Sequence, residues 1–452
     1  MRFTQNCCIL LHRCKRGLLG ERKMGSTNSM SRENKKKQLK RQIVPSNNQY
    51  HEEEDSRDIV HKAHKRVVRK RLTIFLVLVI LAAVVALVLL RYDRYHQFTD
   101  YQVIWEKNLI SEAQEAAVQG EGSFCGYMDF GDGVLKYTKD GASYLDAQGK
   151  VVWVQSYEMK TPMVSINGEY AAIGDQQGNS IYICNKSGPV GKATTLLPIL
   201  RVTVSAKGMV AALQEDSKAS YIYFYKKDGS SLDINVKSLL SGDGYPVDLS
   251  LSPNGTQLIT SYMYLDQGIL KCKIVFYNFG LGKNDPRRVV GIFFPQDLDD
   301  AMAGRVRFLD ESHAVIFTNK GIQLFSTRVE TSPESVTQIP ITEEIRSIAY
   351  TEDHMGVVTD NVEGQDPYRL KIYDKEGGLV FERTFNYQYT GFDIDGGLVL
   401  LYNDSSCKVF NMTGTEKYNG TFDFTVNKVS AGRFPGTLLV MGPQMMMEIK
   451  LQ

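Results

Sequence analysis

From about residue 101 to the C terminus one short pattern returns roughly every 40 residues, and it restricts the fold more than any other feature of the chain. In each copy alternating apolar side chains lead into a turn, usually at a glycine. The early copies are Tyr144-Leu145-Asp146 before Gly149, Ile181-Tyr182-Ile183 before Gly188, and Ile222-Tyr223-Phe224-Tyr225 before Gly229. Ile274-Val275-Phe276-Tyr277 before Gly280 follows, then a degenerate copy, Ile322-Gln323-Leu324-Phe325. Leu370-Lys371-Ile372-Tyr373 before Gly377, Val409-Phe410 before Gly414, and the C-terminal Met445–Lys450 complete the series. Alternation with a period of two marks half-buried strands. A repeat of about 40 residues matches a four-stranded blade, which cannot bury both faces alone and so must stack in a ring. The expectation for residues 101–452 is an all-β, eight-bladed β-propeller. Seven blades is the alternative, because the fifth copy is weak.

Fuller units surround these copies. Leu249-Ser250-Leu251-Ser252-Pro253-Asn254-Gly255 resembles the inner strand and turn of a WD-type repeat, and Val151-Val152-Trp153-Val154 reads as an outer strand. After residue 124 there are eight inner strands but only seven outer ones. Gln102-Val103-Ile104-Trp105-Glu106 resembles Lys150-Val151-Val152-Trp153-Val154 and supplies the missing member. A strand over 102–109 is therefore predicted to complete the last blade and close the ring, with Trp105 buried.

Ahead of the repeats, Leu72 to Leu90 is a run of 19 residues in which Thr73 is the only polar side chain. About 20 apolar residues cross a bilayer core as a helix. The run is too long for the apolar part of a cleaved signal and has no polar stripe, so a transmembrane helix is predicted. The formal net charge of +2 hides an asymmetry: +12 over residues 1–71 and −10 over the remainder. His64-Lys65-Arg66 and Arg69-Lys70-Arg71 precede the run, whereas Arg91 and Arg94 are offset by Asp93 and Asp100. Positive charge collects on the cytoplasmic side, which places the N terminus inside and the propeller outside the cell. Residues 1–54 read as a disordered basic tail, 55–71 as a basic juxtamembrane segment attracted to anionic lipid, and 91–100 as a short linker.

Of seven cysteines, Cys7, Cys8 and Cys14 lie near the start. Palmitoylation would account for them, but translation from Met24 or Met30 is the preferred reading. Cys125, Cys184, Cys272 and Cys407 are scattered singly, which suggests buried strand cysteines rather than disulfides or a zinc site. An exported body that does without disulfides suits a bacterium.

Chemical motifs are sparse. The repeats contain only His313 and His354, so a histidine-based catalyst or metal centre has little material. There is no phosphate-cradling glycine loop or nucleophile elbow. Asp297-Leu298-Asp299-Asp300 and Asp393-Ile394-Asp395-Gly396 lack a calcium ligand spacing and read as solvated loop acids. Counting seven residues back from the turn after each inner strand gives Gly126, Thr161, Arg201, Asp248, Arg305, Arg346 and Tyr389, with Lys428 near the eighth position. Three arginines and a lysine against one aspartate predict a cationic channel mouth suited to carboxylate or phosphate, on the face turned away from the membrane. The competing reading has these arginines bracing blades through acids such as Asp243, Asp299 or Asp310.

Leu145-Asp146-Ala147-Gln148-Gly149-Lys150-Val151-Val152-Trp153 resembles the quinoprotein-type propeller repeat, although nothing marks a quinone-binding set. Gly141-Ala142-Ser143-Tyr144-Leu145-Asp146, Tyr221-Ile222-Tyr223-Phe224-Tyr225 and Ser241-Gly242-Asp243-Gly244-Tyr245-Pro246 resemble a family of membrane-anchored propeller proteins from anaerobic Gram-positive bacteria, a domain of unknown function. That resemblance implies topology and no activity. The leading functional expectation is a non-enzymatic binding or scaffold protein without cofactor, metal or nucleic acid. Its partners would be the bilayer and an envelope protein or anionic wall polymer. A glycan- or phosphate-active hydrolase is the rival, and a single-pass sensor the third class.

Overall fold

The computed structural model describes residues 71–88, 91, 96–109, 124–280, 288–294 and 300–452. The tail, the juxtamembrane segment before Arg71, Leu89-Leu90, and Asp297 to Asp299 lie outside the described residues. Arg71–Val88 forms one helix, long and apolar enough to cross a membrane, with none of it buried against protein. It belongs to a unit separate from the propeller.

The second unit is an eight-bladed β-propeller made of eight four-stranded antiparallel sheets. All eight sequence copies are the third strands of successive blades, including the degenerate one, Gly321–Ser326. Blades 1 to 7 cover 125–156, 162–194, 199–239, 245–293, 303–340, 345–385 and 391–421. Blade 8 takes three strands from 428–451 and its outer strand, Tyr101–Asn108, from the N-terminal side.

Local chemistry explains the repeat. An Asp or Asn follows most third strands, and its side chain caps the turn: Asp146 accepts from the Gln148 and Lys150 amides, and Asp374 from Glu376 and Gly378. Asn185 and Asn411 do the same in blades 2 and 7. Such side chains mimic a backbone turn and favour one there. The third and fourth strands then pair across a bulge in every blade. A bulge sharpens the local twist, which lets each sheet fan outward from the axis.

The apolar core is divided among the blade interfaces. Among the described residues eight buried clusters occur, and each draws its side chains from two consecutive blades. Cys184 and Cys407 lie in two of them, where burial pushes each thiol up to about 12, so both behave as small hydrophobes. Cys272 is also buried, while Cys125 is only partly so; all four are free thiols.

The closure strand pairs antiparallel with the C-terminal strand, from Tyr101 opposite Leu451 to Asn108 opposite Met445. Trp105 is half-buried rather than buried. Its ring crosses to blade 1 and lies over Gly149, where an added Cβ would meet it at 2.8 Å. Gly149 has φ +69, so both the turn and the indole require glycine there. The indole donates to Glu448 at 2.8 Å. Trp153 occupies the matching place in blade 1, donates to the Asn185 carbonyl of blade 2 at 3.1 Å, and is buried.

Candidate functional site

Each inner strand is the axial edge of its sheet, so one row of its amides has no strand partner. Side chains of the preceding blade supply acceptors. Ser165 accepts from the Val204 amide at 3.2 Å, Thr203 from Leu251 at 3.4 Å, and Asp395 from Ala431 at 2.8 Å. Asp248 accepts from Val306 at 3.0 Å and Ser250 from Phe308 at 3.1 Å. These last two contacts advance in step, so the neighbouring inner strands run parallel. One rim of the channel therefore carries every inner-strand start, and the opposite rim carries every end.

The ring is not uniform. In blades 3 to 6 the inner strand bulges against the second strand, skipping Leu200, Val247, Gly304 and Arg346. Blades 1, 2, 7 and 8 show no such shift. Bulges re-aim the side chains that follow them. The residues just after them are Arg201, Asp248, Arg305 and Ser347.

In the bulged half, Asp248 is buried and receives Arg307 at 2.9 Å, while Arg305 stands 3.9 Å from its other oxygen with 43% of its side chain exposed. Arg307 also donates to the Tyr350 hydroxyl at 2.6 Å and is 22% exposed. Arg201 donates to the Leu200 carbonyl at 3.2 Å and has no carboxylate within ion-pair distance among the described residues. Arg201, Asp248, Arg305, Arg307 and Tyr350 share the wall of one cavity of about 510 Å³ along the channel. On that wall three guanidiniums outnumber two carboxylates, Asp248 and Glu352.

In the unbulged half the balance reverses. Lys428 is 8% exposed and bridges Asp129 of blade 1, at 3.0 Å, to Asp393 of blade 7. Burial would lower its pKa, but the two carboxylates hold it well above the usual lysine value. Ser430 donates to Asp129 at 2.6 Å. Asp395 is nearby, and burial together with Asp129 raises its pKa. One lysine thus faces three carboxylates, at the place where the ring closes.

A family model described as a family of unknown function, DUF5711, matches residues 94–451. The chain belongs to that family. No curated protein matches it in sequence. Among solved structures it is similar to BamB from Moraxella catarrhalis at 11% identity and TM-score 0.46, over 78% of this chain and 98% of that one. The Pan2 WD40 domain of Neurospora crassa is similar at 10% identity and TM-score 0.40, over 79% and 97%. Chaetomium thermophilum Sqt1, solved bound to the N-terminus of ribosomal protein L10, matches at 10% and 0.46, over 73% and 92%. Resemblance at this level concerns fold and bears on neither ligand nor activity.

In this DUF5711 chain the residues expected at the mouth separate. Arg201, Asp248 and Arg305 do share one cavity. Lys428 does not add to a cationic mouth, because its charge is enclosed between two aspartates. Arg346 is the bulge residue itself, which puts Ser347 in the matching register. Its guanidinium clasps Asp360 through two bonds of 2.7 Å and reaches Glu344 at 3.1 Å. Tyr389 precedes its strand and donates to Ser347 at 3.0 Å. Among the described residues no arginine pairs with Asp243 or Asp310. Asp393 and Asp395, read as solvated loop acids, belong to the inner strand Gly391–Asp395. Arg307, Tyr350 and Asp129 were not singled out from sequence. The available signal for Arg307 was its spacing of two from Arg305, which puts both on one face of a strand.

Proposed function

We propose that this chain is a membrane-anchored, extracytoplasmic binding module whose propeller takes an anionic group of an envelope protein or wall polymer at the channel mouth. The observation that carries this reading is the pair Arg201 and Arg305. Both line the 510 Å³ cavity, and neither holds a close ion-pair partner. A planar guanidinium can give two parallel hydrogen bonds to a carboxylate or phosphate. Arg307 and Lys428, by contrast, are engaged in holding blades together. The apolar helix supports an anchor, and the charge excess before it supports a cytoplasmic N terminus.

Poly-glutamate binding to the full-length protein, followed by fluorescence anisotropy, tests the site. Replacing Arg201 and Arg305 together by Ala should weaken binding by about tenfold or more with an unchanged melting temperature. Lost stability with unchanged binding would reassign both arginines as braces. For topology, an impermeant thiol reagent on intact cells should label a cysteine placed at Val362, which is 82% exposed, and not one at Ser46.

A further inference from the structure

The cavity that holds Arg201 and Arg305 has a direction. Its outer edge is formed by Gly168, Pro253, Leu309, Thr351 and Glu352. All five are turn residues that follow the inner strands of blades 2, 4, 5 and 6, so the cavity opens on the rim where those strands end. The arginines belong to the far part of the wall. Each is the third residue of its strand, Ile199–Val204 or Ala303–Phe308. From Arg305 to Leu309 the lining runs four residues, about 13 Å of strand at ~3.3 Å per residue.

That depth restricts what can reach the guanidiniums. A cavity of about 510 Å³ falls in the range, ~300–1,000 Å³, that encloses one small ligand. Along ~13 Å it takes a single extended chain of about four residues. A helix, about 10–12 Å wide with its side chains, is too broad.

Charge is ordered along the same path. Arg201 and Arg305, without a close ion-pair partner, start from the inner part of the wall. Asp248 beside them is enclosed by Arg307 and the Val306 amide. Glu352 is exposed at the opening and has no ion-pair partner among the described residues. A chain charged on every unit would set one anion against Glu352 and another near Asp248, and like charges repel. A chain whose only anion is its leading end avoids both. Met128, Met163 and Ile166, all half-buried, line the cavity as well and suit an apolar body behind that end.

We propose that the cavity captures the free C-terminal end of a partner polypeptide, inserted carboxylate first with about four extended, mainly apolar residues. The α-carboxylate accepts N–H bonds from Arg201 and Arg305. Glu352 is the specificity residue, turning away chains that carry negative charge throughout. The proposal rests on the anion-binding reading of this cavity and narrows it from any anionic group to a polypeptide end. A wall polymer charged on every unit is the ligand that Glu352 disfavours.

The test uses the full-length chain in detergent and fluorescence anisotropy of N-terminally labelled hexapeptides of Ala, Leu and Ser. One has a free C-terminal carboxylate, one is amidated, and one is amidated with a Glu in its middle. The free-ended peptide should bind about tenfold or more tighter than either amidated one. Arg201→Ala with Arg305→Ala should remove that difference. Glu352→Gln should tighten poly-glutamate binding by about threefold; no change there would overturn the role given to Glu352. Equal binding of the free-ended and internal-Glu peptides would overturn the chain-end proposal and leave the anion-binding reading standing. Poly-glutamate bound through both arginines, with the free-ended peptide unbound, would do the same. Octanoate binding as tightly as the peptide would overturn it in favour of small free acids. Failure of both poly-glutamate and the free-ended peptide to bind would overturn both readings.

Discussion

Blades 3 to 6 and blades 7, 8, 1 and 2 are built from the same repeat, yet they treat charge in opposite ways. In the unbulged half, the lysine and the acids meet across blade interfaces: Lys428 reaches Asp129 and Asp393, and Asp395 caps an amide of blade 8. In the bulged half, Asp248 takes Arg307 and the Val306 amide, leaving Arg201 and Arg305 turned toward the cavity. Both halves brace neighbouring blades through an enclosed charge, but only the half with bulged inner strands lines the cavity with further guanidiniums. The comparison separates charges that hold the ring from charges that remain for a ligand.

The largest effect should come from the bracing lysine. Lys428→Ala leaves two carboxylates facing each other without a cation, and breaking a buried pair in this way costs about 3–5 kcal/mol. Chemical denaturation checks it; a loss below about 1 kcal/mol would erase the contrast between the halves. Arg307→Ala should follow at about 3 kcal/mol, the low end of that range, because its side chain is partly exposed and Asp248 keeps the Val306 amide.

Trp105→Ala probes closure itself. Removing a fully buried large aromatic costs roughly 3–5 kcal/mol, so the half-buried indole should come in at or below the lower end. A propeller that is no less stable without this ring would deny the closure strand its role.

Asp395→Asn gives a smaller, pH-dependent change. Its folded pKa lies above the ordinary carboxylate value, so the contribution it makes is fully present below that value and is lost as pH rises through the folded pKa. The wild type should gain stability on acidification in the window just above pH ~4. The asparagine variant should lack that gain and be slightly more stable at pH 7, as melting curves across pH would show. Arg346→Ala, which breaks only the solvent-screened pairs with Asp360 and Glu344, should leave the melting temperature at pH 7 nearly unchanged.

Much of the fold was legible in the chain. Alternation and turn chemistry act within a few residues, so Ile181-Tyr182-Ile183 with Asn185 behind it announces a strand and its turn wherever it occurs. The degenerate Ile322-Gln323-Leu324-Phe325 was also a blade strand, because neighbouring blades tolerate a buried Gln323 between them. The mouth was less legible. Counting backward from each turn assumed turns of one length, but residues 351–353 make a shorter turn than 205–209, so the count lands on Arg346, one residue before Ser347.

The sequence by itself determined an all-β ring, eight third strands, a closing N-terminal strand and one apolar helix, because each follows from local periodicity or from length. Only the tertiary structure decided which charges are enclosed and which stay available. Lys428 and Asp129 are 299 positions apart and meet solely because the ring closes. A charge in a channel is set by what the next blade places opposite it, and that distance is not written in the spacing of any one strand.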